Sequence, residues 1–73
     1  MTENARIVAG MISAALHTLF EDDFAEGHTA LLGIADDIRS SMSTLYPLSV
    51  AEWETVLRDM AGYTACLIKG ECE

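Results

Sequence analysis

At 73 residues the chain has room for one hydrophobic core, read here as a single domain over 1–73. Apolar residues make up 51% of it, with only five glycines and one proline, which excludes an intrinsically disordered chain. Twelve acidic residues against four basic ones give a formal charge of −8. That balance disfavours direct binding to DNA, RNA or an anionic membrane and favours a basic protein partner.

From Ile7 to Phe20 the polar positions Arg6, Gly10, Ser13 and His17 recur at helical spacing while nearly everything else is apolar. The pattern predicts a helix over 2–21 with a narrow wet stripe and a wide apolar face, with Thr2 as N-cap. Gly10 and Ala14 would let another backbone approach closely. The same run is too short to span a bilayer comfortably, and His17 interrupts it, so an uncleaved, soluble helix in a cytoplasmic protein is expected.

The second segment carries the cleanest periodicity. Phe24, His28, Leu31, Ala35, Ile38, Met42 and Leu45 alternate at spacings of four and three, a heptad-type seam on a helix over 24–45 that Pro47 stops. His28 falls on that seam, as a core or interface histidine. The third helix starts at "LSVAEW", where Ser49 and Glu52 form a capping box and Leu48 can staple onto Trp53. Trp53, Val56, Leu57, Met60, Tyr63, Leu67 and Ile68 mark one face, and Gly70 suits the C-cap, which predicts a helix over 49–69. The expected fold is all-α: a helical hairpin plus a third helix, packed as a dimeric helical bundle.

Between the first two helices lies "FEDDFAEGH", with Glu21, Asp22, Asp23 and Glu26 in close succession. Asp23 and Glu26 read as a capping box at the start of the second helix, with Phe20 and Phe24 packing across the turn. No metal is expected there, since the ligand order of an EF-hand, the Glu-x-x-His of di-iron bundles and the His-Glu-x-x-His of zincins are all missing. Cys66 and Cys72 lack a C-x-x-C spacing, a disulfide between them would close only a short loop, and a reducing compartment is the natural setting. Glycines are isolated, so no phosphate-cradling loop is present. The adjacent carboxylates Asp36 and Asp37 point about 100° apart and do not converge for acid–base work. No cofactor and no enzymatic activity are expected.

Two features go beyond the needs of a fold. The apolar surplus of the first helix (Ile7, Val8, Met11, Ile12, Leu16 and Leu19) together with Trp53, Met60 and Tyr63 predicts self-association as a homodimer. The carboxylates Glu21, Asp22, Asp23, Glu26, Asp36 and Asp37 predict contact with a basic surface, with electrostatic steering. In overall profile, a very short acidic chain without a catalytic constellation, the sequence resembles the small inhibitors encoded by bacteriophages and mobile elements, including anti-CRISPR proteins and anti-activators of host regulators. The resemblance implies stoichiometric binding to a host protein, blocking its nucleic-acid surface or its assembly. The alternative is a homo-oligomeric structural or assembly subunit with no heterologous target.

Overall fold

Thr2 opens the first helix in the way its side chain suggests. In the computed structural model, which describes residues 2–21 and 27–70, the Ala5 N–H donates to Thr2 Oγ1 at 3.3 Å and the Arg6 N–H to the Thr2 carbonyl at 3.0 Å. Two donors that a helix start would otherwise leave unpaired are thereby satisfied. Helix α1 runs Glu3–Glu21, α2 runs His28–Met42 and α3 runs Val50–Lys69, with no strand among the described residues. The chain forms a three-helix all-α bundle.

On α1, Ala5, Val8, Ala9, Ile12 and Leu16 share the buried face, while Arg6, Gly10 and His17 lie exposed along the polar stripe. Ile12 and Leu16 are fully enclosed, and Leu31 and Ala35 of α2 and Val56 of α3 complete the centre. Helix α1 packs most extensively on α3, next on α2, and the α2–α3 pairing is the thinnest. The core therefore gathers around α1, and the side where α2 meets α3 is the least closed. Gly10 and Ala14 admit no neighbouring backbone: both are exposed, and a Cβ built on Gly10 would meet nothing within 4 Å.

The second helix is shorter than its periodicity implies. It begins at His28, not at 24, because Gly27 adopts φ 63° and ψ −142°, a conformation outside the helical region that glycine tolerates at little cost. Gly27, the N-cap residue, has no side chain to cap this end. The capping box read into Asp23 and Glu26, and the partner Phe24 expected for Phe20, lie outside the described residues. His28 thus sits in the first turn of α2, exposed, and is not a core histidine. At the other end the helix closes at Met42, short of 45. The backbone bonds continue briefly, from the Ser43 N–H to the Arg39 carbonyl and from the Tyr46 N–H to the Met42 carbonyl at 2.8 Å, before Pro47. Leu45, the last residue of the expected seam, is thrown outward and is 67% exposed.

Helix α3 matches its sequence signals at both ends. The Glu52 N–H donates to Ser49 Oγ at 3.1 Å and the Ser49 N–H to Glu52 Oε1 at 3.3 Å, which is the reciprocal capping box. Gly70 takes φ 72°, a left-handed cap in which its N–H reaches the carbonyls of Cys66 and Leu67. Cys66, half-buried near this end, is disulfide-bonded, and the sequence offers only Cys72, outside the described residues, as an intrachain partner. A disulfide is the form an oxidising setting preserves, so the cysteines themselves give the expected reducing compartment no support.

Candidate acidic interface

The carboxylates expected to meet a partner are spread over the molecule, and the fold separates them. Glu21 ends α1, exposed, and its Oε2 lies 3.6 Å from His17 Nδ1 one turn earlier. Asp22, Asp23 and Glu26 lie outside the described residues. Asp36 and Asp37 are both exposed on α2, but successive helical residues diverge by about 100°, so the pair does not act as one site. Asp36 lines a recess of about 150 Å³ between α2 and α3 with Leu32, Ala35, Arg39, Trp53 and Leu57. Asp37, exposed on the same helix, does not line that recess.

Among the described residues the His17–Glu21 pair is the one ion pair. Asp36, Asp37, Glu54 and Asp59 project from α2 and α3 with no cation bridging to them. Arg39, one turn from Asp36, does not compensate it: its guanidinium carbon lies 5.5 Å from the centroid of the Trp53 ring, a cation–π contact that joins α2 to α3. Behind that contact Val8, Ile38, Met42, Tyr46, Leu48 and Trp53 enclose a cavity of about 50 Å³, far below the several hundred Å³, roughly 300–1,000, of a small-molecule site. Leu48 and Trp53 share its wall, in keeping with the staple read from the sequence.

Among the described residues the one perturbed carboxyl group is structural. Glu52 has its pKa lowered from the ordinary 4.5, first by a hydrogen bond from the Thr2 hydroxyl and then by Ser49, with a small opposing contribution from burial. Thr2 Oγ1 donates to Glu52 Oε2, so this carboxylate holds the starts of α1 and α3 together. The open recess beside it, lined by Thr2, Ala5, Ala51, Glu52 and Thr55 and about 460 Å³ in volume, has its only charged group already engaged. Among the described residues no three His, Cys, Asp or Glu side chains group closely enough to hold a metal ion.

The apolar residues expected to carry self-association divide into three sets. Val8, Ile12 and Leu16 are buried within the chain. Trp53, Met60 and Tyr63 are half-buried against the same core. Ile7, Met11 and Leu19 are half-buried at its margin on α1. Two features escaped the sequence reading. The Arg39–Trp53 stack links residues with no local signal connecting them. Thr64, in contrast, lies at four-residue steps from Val56 and Met60 and was legible as a core position; it is fully buried, with Oγ1 donating to the Met60 carbonyl at 2.7 Å.

No family model, characterised protein or solved structure matches this chain. Function must therefore be argued from the surface itself. Among the described residues no helix is long and apolar enough to cross a membrane.

Proposed function

We propose that this chain is an acidic protein-binding module that acts by stoichiometric contact with a host protein in the cytoplasm, with no cofactor and no chemistry of its own. The observation that carries the reading is the set of exposed carboxylates on α2 and α3, Asp36, Asp37, Glu54 and Asp59, which no cation among the described residues bridges. Rigid helices hold these charges at fixed positions, and a partner with a basic surface would exchange its counterions for them. A groove that normally binds nucleic acid is such a surface. Occupying it would inhibit the host protein in the manner of the small phage inhibitors that the sequence resembles, with Glu21 adding charge at the end of α1 and Asp22, Asp23 and Glu26 following it in the sequence.

The test is affinity capture from host lysate at low and moderate salt, repeated with Glu21→Lys and Asp37→Lys combined. The reading expects retention of a nucleic-acid-binding protein that is released as salt rises and is lost in the double variant at unchanged helicity. Retention that survives both salt and charge reversal would refute the electrostatic mechanism. A homo-oligomeric assembly subunit remains the alternative, but Val8, Ile12 and Leu16 have little or no surface left for a second chain. Self-association would fall to side chains other than these three.

A further inference from the structure

Among the described residues four large apolar side chains are prominently exposed, and three of them, Leu32 (64%), Val50 (71%) and Ile68 (49%), belong to α2 and α3. Val50, Leu57, Ala61 and Ile68 are separated by seven, four and seven residues, intervals that return each to the same flank of α3 within about 40°. Leu57 shares the α2–α3 recess with Leu32, which places Leu32 beside the row. The stripe covers eighteen steps of α3, roughly 27 Å at 1.5 Å per residue, on a domain whose longest dimension is 31 Å. Val50 and Ile68 are exposed at its two ends, Leu57 and Ala61 are half-buried between them, and apolar surface aligned along one flank in this way marks interfaces.

Charge identifies what covers it. Arg39 lines the recess, Arg58 lies one turn before Ala61, and Lys69 follows Ile68. Three of the four basic residues of the chain thus border the stripe, against the described carboxylates Asp36 and Glu54, while the other described acidic residues, Glu3, Glu21, Asp37, Glu52 and Asp59, have only Arg6 among them. Two molecules each carrying −8 repel wherever their acidic faces meet. Among the described residues this face has the least negative balance, and its cations would turn a strongly basic partner toward the carboxylates elsewhere.

We propose that the Leu32–Val50–Leu57–Ile68 stripe is the pairing face for a second copy of this chain, with the two α3 helices side by side about a two-fold axis. In such an isologous contact each apolar residue meets the same stripe of the partner and no exposed end remains to propagate. The inference does not depend on the partner-binding reading, and the two respond to salt with opposite sign.

Sedimentation equilibrium across a concentration series, at low and moderate salt, tests it. The expected mass is twice the 7.9 kDa of one chain, with association strengthened by salt because screening removes repulsion between the acidic faces. Leu32→Glu and Ile68→Glu should each raise the dimer dissociation constant by about tenfold or more, with the helical circular dichroism retained because both side chains are exposed. Val50→Glu offers a third variant that the fold should accept, since an acid in the first turn of α3 is favoured by the helix dipole. Leu45→Glu, equally exposed but in the turn after α2, should leave the dimer intact. The proposal is overturned if the wild-type chain stays at 7.9 kDa up to millimolar concentration, the result expected if an unrelated chain covers the stripe. It is equally overturned if Leu45→Glu or Ile7→Glu dissociates a dimer that the stripe variants leave whole.

Discussion

Thr2 and Glu52, fifty positions apart, share a hydrogen bond that fastens the start of α1 to the start of α3. One carboxylate closes the capping box of its own helix with Oε1 and accepts from the N-cap of another helix with Oε2. Helices α1 and α3 are thereby tied at their N-terminal ends. Because the carboxylate is favoured by these donors, its folded pKa lies below the 4.5 of an unconstrained glutamate. The clasp thus contributes fully above about pH 4.5 and is lost as pH falls through the lowered value. Thermal unfolding followed by circular dichroism should show a midpoint that declines on acidification, and Glu52→Gln should flatten the part of that decline that Glu52 causes. A decline identical in Glu52→Gln and wild type would show that the clasp does not link acid to stability. Thr2→Ala should cost about 1 kcal/mol at neutral pH, as loss of an N-cap does.

Ile12 separates packing within the chain from packing between chains. Its side chain is fully buried. Ile12→Ala should cost about 2–5 kcal/mol by leaving a cavity, a large part of the roughly 4–11 kcal/mol that a domain of this length commands. Ile12→Glu should abolish the fold, since an unpaired charge would occupy the same place. If Ile12→Glu instead yields a helical monomer with a cooperative melt, the first helix is an oligomer surface after all.

Thr64 offers a test in the opposite direction. Its hydroxyl bonds only within its own helix, to the carbonyl of Met60, which already stands in the helical ladder. Thr64→Val removes a buried polar group without stranding a donor, and it should leave stability unchanged or raise it by up to about 1 kcal/mol in urea denaturation. A loss greater than about 1 kcal/mol would mean that the hydroxyl has a second structural role.

At Gly70 the backbone conformation decides. A φ of 72° is left-handed, where any Cβ is strained even though the space around it is open. Gly70→Ala should therefore destabilise by about 1 kcal/mol, the usual cost of a side chain in that region. Fraying should be confined to the last turn of α3, seen as faster amide exchange there and not in α1. Unchanged exchange would show that the cap does not hold that end.

The separate helices were legible in the sequence because their causes are local. Ser49 and Glu52 sit three residues apart and satisfy each other across a single turn, Gly70 supplies the left-handed cap, and the spacing of Ala5, Val8, Ile12 and Leu16 alone places them on one face. Where a local signal was overridden, a backbone conformation did it: Gly27 breaks a seam that the heptad spacing carries through 24–28, and this puts His28 in water. What only the tertiary structure decided is how the apolar surplus is shared out. Periodicity ranks residues by face but does not say which face meets which, because that depends on the angle and spacing at which three helices close on one another. Closure around α1 buried Ile12 and Leu16, left the α2–α3 side thin, and so exposed Leu32 beside the Arg39–Trp53 stack and Ile68 toward the far end of α3.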